Sequence, residues 1–146
     1  MPTEVPDLLR LSPEELDNLF RSSDAGPIPS GEAHGTVLVR PGTDLAEPAA
    51  KLLHLIAWKG KVFDPDKGEL LNEVGPFGWK SVRAKVYKEA SWLDGRESIV
   101  LDYSETSLVA HWIRDEIRLV GPGKYLGIVY WERAKVLDFA LEFPVA

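Results

Sequence analysis

The sequence predicts a mainly β protein, a single antiparallel β-barrel with a short N-terminal helix and one further helix in its body. Three observations lead there. Short β-branched and aromatic segments fill the chain from Glu69 onward, and turn formers divide them at Asp94-Gly95, Gly121-Pro122-Gly123 and Glu132-Arg133. This is the punctuation of an antiparallel meander, and seven or eight strands in order close most naturally into a barrel that leaves no exposed edge. Helical spacing of apolar residues stands out in two stretches only, around Leu16 and around Leu52. At 146 residues with 45% hydrophobic content, the chain can bury one core and is too short for two comfortable domains.

The N-terminal helix is announced by its cap. Ser12 stands at the N-cap, Pro13 at the first helical position and Glu15 at the third, closing a capping box, and Leu16, Leu19 and Phe20 form the apolar stripe. The helix is expected to stop near Ser23, because Asp24-Ala25-Gly26-Pro27-Ile28-Pro29-Ser30-Gly31 is dense in turn formers. Residues 1 to 31 therefore read as a helical appendage and linker, and residues 32 to 146 as the barrel domain. Packing on the body is the ordinary role of such an appendage, with a lid or docking helix as the alternative.

The body opens with a strand from Ala33 to Val39 and a turn at Arg40-Pro41-Gly42-Thr43. From Asp44 to Ala57, Leu45, Ala49, Leu52, Leu53 and Ile56 recur at helical spacing, and Pro48 falls in the first turn if Asp44 caps. After Trp58-Lys59-Gly60-Lys61-Val62-Phe63 come the segments Glu69 to Val74, Gly78 to Glu89, Ser98 to Tyr103, Ile113 to Val120, Tyr125 to Trp131 and Val136 to Phe143. Alternation assigns faces. In the last segment Leu137, Phe139, Leu141 and Phe143 point inward, and Val136, Asp138, Ala140 and Glu142 outward. Tyr125 to Trp131 is apolar on both faces, so it is covered from both sides.

The run Ile113-Arg114-Asp115-Glu116-Ile117-Arg118 is the anomaly, since it is charged where its neighbours are greasy. Buried charges are costly unless paired, so these groups lie on a wet face or in a polar network. Alternation puts Asp115 with Ile113, Ile117 and Leu119, alone among apolar side chains. Such a carboxyl has a raised pKa and serves as a general acid or base, or holds a ligand's polar end. The plainer alternatives are a salt bridge to Arg96 or another arginine, or a bulge that turns Asp115 outward. Asp102 and Tyr103 invite a similar pair of readings, an acid/base couple or a structural hydrogen bond.

The order Trp58-Lys59-Gly60-Lys61-Val62-Phe63, Asp102-Tyr103, Trp112-Ile113-Arg114-Asp115, Leu126-Gly127 and Phe139 to Phe143 resembles the GXWXG lipocalin-like proteins, small bacterial domains. The Gly-x-Trp-x-Gly signature itself is replaced by Gly31-Glu32-Ala33-His34-Gly35 and Trp58-Lys59-Gly60. The resemblance implies a calycin-like barrel with an apolar interior and transfers no chemistry.

Several classes are disfavoured. A net charge of -6 argues against nucleic acid, whose binding draws on clustered Lys and Arg. No apolar run approaches the roughly 18 residues of a membrane span. The absence of cysteine removes thiolate chemistry and suits a reducing compartment, so a cytoplasmic location is expected. His34, His54 and His111 are too scattered for a metal signature. His54, on the body helix, is the one histidine placed to approach haem, but a single histidine carries almost no signal for it, so no cofactor is predicted. No nucleophile elbow, phosphate loop or dinucleotide fingerprint appears. The five tryptophans serve as core or as cavity wall.

What remains is a barrel that binds a small apolar or amphipathic molecule, with Tyr103, His111, Asp115, Arg118, Tyr130 and Phe139 as the candidate binding residues. The alternative in the same cavity is cofactor-free acid/base catalysis, of an isomerase, cyclase or hydratase kind, with Asp115 or His111 moving the proton and Tyr103 orienting the substrate. The third reading is an interaction domain with a filled core. An apolar barrel face or the helical appendage would support a homodimer.

Overall fold

Ser12 does cap a helix. Its hydroxyl accepts from the Glu15 amide at 3.1 Å, and the Glu15 carboxylate accepts from the Ser12 amide at 2.9 Å. A computed structural model describes residues 4–38, 58–74, 80–105 and 112–144. The capped helix, α2, runs Pro13–Ser22 and is preceded by a single turn, α1, at Val5–Leu8, which the sequence reading did not anticipate. The body helix expected over 44–57 lies outside the described residues, as do His54 and His111.

Eight antiparallel strands follow: β1 Gly31–Leu38, β2 Trp58–Asp64, β3 Glu69–Val74, β4 Lys80–Ala90, β5 Glu97–Asp102, β6 Ile113–Gly121, β7 Lys124–Trp131 and β8 Ala134–Glu142. Each pairs with the next, and β1 pairs with β8 to close the barrel. The seam runs from His34 opposite Glu142 to Leu38 opposite Asp138. Among the described residues, turns fall at Asp94-Gly95, Pro122-Gly123 and Glu132-Arg133 as the sequence marked them, and the turn expected at 40–43 lies outside those residues. Glu132 and Arg133 join β7 to β8 with positive φ, 48° and 76°, at the two central positions of a tight hairpin.

Period-two alternation divides the apolar residues into two clusters. The interior one contains Phe63, Leu70, Ile99, Leu101, Ile113, Ile117, Tyr125, Val129, Leu137, Phe139 and Leu141. The exterior one joins Leu126, Ile128, Tyr130 and Ala140 of the barrel wall to Leu8, Leu16 and Phe20 of the helices. This explains why β7 is apolar on both faces. Each fully buried Leu or Phe contributes roughly 1.5–3 kcal/mol, so these three helical side chains hold the N-terminal segment on the wall.

The linker after α2 closes one end of the barrel. The Leu119 amide donates to the carbonyls of Asp24 and Ala25 at 3.1 and 3.3 Å, and the Tyr125 hydroxyl donates to Pro27 O at 2.7 Å. Ala25 and Ile28 join the interior cluster. Gly26 makes the approach possible, because its φ is +72° and a Cβ there would lie 2.7 Å from Leu119 Cβ.

Candidate functional site

Asp115 occupies the inner face of β6, opposite Leu101 of β5 and Val129 of β7. It is fully buried, and neither carboxylate oxygen has a hydrogen-bond donor among the described residues. Its charge partner is Lys61 of β2, whose Nζ lies 3.8 Å from Asp115 Oδ2, an ion-pair distance too long for a hydrogen bond. Asp115 is thus neither bridged to an arginine nor turned outward at a bulge, the two plainer alternatives, but pairs with a lysine on the inner face. Arg96 instead reaches across the outer surface to Asp24 at 2.7 Å and to the Arg21 carbonyl.

Lys61 Nζ donates to the Tyr103 hydroxyl at 3.0 Å. It also stands 5.6 Å from the Tyr103 ring centroid and 5.8 Å from that of Phe139, within reach of cation–π attraction. Lys61, Tyr103, Asp115 and Phe139 are each at most 3% exposed. Burial pushes the Asp115 carboxyl up to about 7, with Lys61 holding it back and Glu116 adding to the rise. Burial likewise pulls the Lys61 ammonium down to about 8, against the attraction of Asp115. Burial thus moves the two proton affinities toward each other.

Backbone geometry fixes this cluster. The ring of Phe139 lies on Gly127 of β7, where an added Cβ would meet Phe139 Cζ at 2.2 Å. Only glycine leaves room for the ring beside the sheet.

The other charges of β6 face outward and are fully engaged. Arg118 uses all five guanidinium donors: Nε to Glu97 O at 3.1 Å, one terminal nitrogen to Phe20 O and Asp94 Oδ2 at 2.8 and 2.7 Å, the other to Asp94 Oδ1 and Arg96 O at 2.7 and 3.1 Å. Its bidentate grip holds the Asp94 carboxyl down at about 2. Glu116 accepts from Ser91 Oγ at 2.5 Å, from the Trp92 amide at 2.8 Å and from Arg114, which stacks on Trp92 at 4.2 Å.

Of the candidate binding residues, Asp115, Tyr103 and Phe139 converge with Lys61 in the barrel interior. Arg118 and Tyr130 do not. Arg118 ties α2 to the β4–β5 hairpin, and Tyr130 packs in the outer cluster, edge-on to Trp92 at 5.2 Å. The physical reason is the strand pleat, which turns both residues to the wall opposite Asp115 and Val129. His111 lies outside the described residues. Asp102 faces away from Tyr103. It accepts from the Tyr87 hydroxyl at 2.7 Å and from the Ser104 amide at 2.8 Å. Burial opposes its ionisation, but these hydrogen bonds prevail and lower its pKa.

Lys61 is the residue that sequence reasoning missed. The alternation that singled out Asp115 also puts Lys61 on the face of Phe63, so the signal was present in β2. Among the described residues no group of three or more His, Asp or Glu is placed to hold a metal ion, and no helix is long and apolar enough to cross a membrane.

Fold and site together define a closed eight-strand antiparallel barrel, compatible with a calycin-like fold, that carries a buried polar cluster inside an apolar interior. A protein from Thermomonospora curvata, known from its crystal structure, is similar, with a TM-score of 0.63 at 17% identity over 92% of this chain and 88% of that one. At this identity the likeness concerns the fold alone. No family model matches the chain, and no curated protein does.

Proposed function

We propose that the barrel binds a small apolar or amphipathic molecule in its interior, with Asp115, Lys61 and Tyr103 fixing the molecule's polar end and Phe139 forming part of the apolar wall. The observation that carries this reading is the buried Asp115 carboxyl, whose two oxygens meet no hydrogen-bond donor among the described residues. A buried acceptor left unmet costs about 1–3 kcal/mol, and more when charged. A ligand hydroxyl or amide donating to Asp115 removes that cost, while Lys61 and Tyr103 donate to an oxygen on the same ligand. The reading agrees with the resemblance to GXWXG lipocalin-like proteins, whose barrels are expected to have apolar interiors.

Acid/base catalysis in the same place is the second reading, favoured by the nearly matched proton affinities of Lys61 and Asp115 beside a tyrosine hydroxyl. Asp115 would then move a proton between two positions of the substrate, with Tyr103 orienting it. Substitution distinguishes the two. Asp115→Asn abolishes turnover of a bound substrate in an enzyme, whereas a binding protein turns nothing over.

Native mass spectrometry of protein purified from its own host, followed by extraction and identification of anything bound, tests the proposal. A stoichiometric small molecule that is lost from Asp115→Ala supports it. A clean mass, with no thermal shift across a panel of lipids and metabolites, refutes it in favour of a filled-core interaction domain.

A further inference from the structure

Lys61 is a primary amine placed inside a barrel, against aromatic rings, with a carboxyl and a phenol on either side. Long charged side chains ordinarily carry their head groups to water, so a lysine 1% exposed is costly unless its amine has a task. We infer that Lys61 captures a carbonyl compound, an aldehyde or ketone with an apolar body, as an imine inside the barrel. This rests on the proposed lumenal binding site and names the class of ligand it takes.

The chemistry balances with the groups present. The Lys61 ammonium gives a proton to Asp115, and the Nζ lone pair forms a bond to the carbonyl carbon. The carbonyl π electrons move to oxygen, which takes the proton from Asp115, and the Asp115 carboxylate then takes one of the two protons left on nitrogen, giving a neutral carbinolamine. Nitrogen then expels that oxygen as water, with a proton supplied by Asp115, and a protonated imine remains. The net change is amine plus carbonyl to imine plus water, with no oxidant or reductant. Each group suits its step. Desolvation leaves the amine substantially neutral at mildly alkaline pH, as in other lysines made nucleophilic by apolar surroundings. The Asp115 carboxyl, also shifted by burial, can both accept and return a proton near neutrality. The separation of 3.8 Å between Nζ and Oδ2 matches the span from a carbinolamine nitrogen to a carboxylate that hydrogen-bonds its oxygen.

The test uses the full chain with decanal as probe and decan-1-ol as its non-carbonyl counterpart. Protein is incubated with decanal, reduced with cyanoborohydride, digested and mapped. The expected result is a decyl group on Lys61 well in excess of that on the exposed Lys67 and Lys88, with total labelling that falls by roughly tenfold or more in Lys61→Met because the activated amine is gone. Wild-type mapping decides the matter even if that variant fails to fold. Asp115→Asn keeps the amine and is expected to slow labelling. Labelling spread over exposed lysines with Lys61 unmodified overturns the inference. If decan-1-ol still raises the melting temperature in that case, imine capture falls while lumenal binding stands; if neither probe shifts the melt, both fall.

Discussion

Gly127→Ala tests whether the Phe139 ring is seated as described. The added Cβ would lie 2.2 Å from Phe139 Cζ, 2.4 Å from Cε1 and 2.6 Å from Cε2, whereas ordinary contact begins at 3.4 Å. The ring must therefore retreat by about an ångström, and it is 1% exposed with the Lys61 ammonium 5.8 Å from its centroid. Overpacking of this kind costs about 1–3 kcal/mol, and the clash with three ring atoms puts the expectation at the upper end. For a chain of this length that lowers the melting temperature by roughly 6–12 °C. In a Phe139→Ala background, itself destabilised by about 3–5 kcal/mol, the clash is absent. Gly127→Ala then becomes neutral or stabilises by roughly 0.4–1 kcal/mol through loss of unfolded-chain entropy. Urea unfolding of the four proteins, followed by tryptophan fluorescence and circular dichroism, gives the coupling energy, expected at about 3 kcal/mol in favour of the double variant. Additivity within about 0.5 kcal/mol refutes the seating of the ring on Gly127.

Arg118→Met should cost about 3–5 kcal/mol, because Asp94 and three carbonyls lose their donors together, and Arg118→Lys should not restore it, since an ammonium has three donors for five acceptor contacts; a wild-type melt for the lysine variant would contradict this. The Asp94 carboxyl, held at about 2 by Arg118, adds stability that is complete above its ordinary 3.8 and is lost as pH falls through 2, so wild type should lose this contribution in acid and Arg118→Met should not. Asp138 behaves oppositely. Burial raises its carboxyl from 3.8 to about 6, against the pull of Lys135, whose Nζ is 3.0 Å away. The folded state then holds a proton that the unfolded state releases, so stability falls as pH rises from about 4 to 6, and Asp138→Asn should flatten that slope in urea midpoints measured across the window. Finally, Lys61→Met with Asp115→Val should be as stable as wild type or more so, while capture of decanal and any ligand from the host is lost; a double variant destabilised by several kcal/mol would mark the pair as structural.

Much of the fold was legible because its signals are local. Ser12, Pro13 and Glu15 cap a helix through groups three residues apart, and the strands Glu69–Val74 and Ile113–Gly121 follow runs of β formers bounded by turn residues. Pleating alone sorted Leu137, Phe139 and Leu141 from Asp138 and Ala140. Legibility failed where long-range pairing decides. The carbonyls that hold Arg118 come from α2 and the β4–β5 hairpin, and no period in β6 encodes them. Tyr130 belongs to a strand apolar on both faces, so its side depends on what the N-terminal helices cover. Lys61 was hidden for a different reason. Alternation puts it on the face of Phe63, but its strand has glycine and lysine where greasy residues would be expected, and no local signal ties it to Asp115 on β6.

The two faces of β6 offer an internal comparison. On the outer face, Arg118 meets an acceptor with every donor, and Glu116 gathers a hydroxyl, an amide and a guanidinium. Folding alone accounts for these groups, because each hydrogen bond to a charge contributes about 1.5–3 kcal/mol and together they anchor the N-terminal helix to the hairpin. On the inner face, Asp115 has no such bonds among the described residues, and Lys61 Nζ stands 3.8 Å from its carboxylate. Buried pairs with poor geometry are commonly matched or surpassed by hydrophobic residues of similar size. Hydrogen bonding therefore accounts for Arg118 and Glu116 more fully than for Asp115. The proposed role for this inner pair is to anchor the polar group of a ligand, and the double variant of Lys61 and Asp115 tests it against a purely structural one.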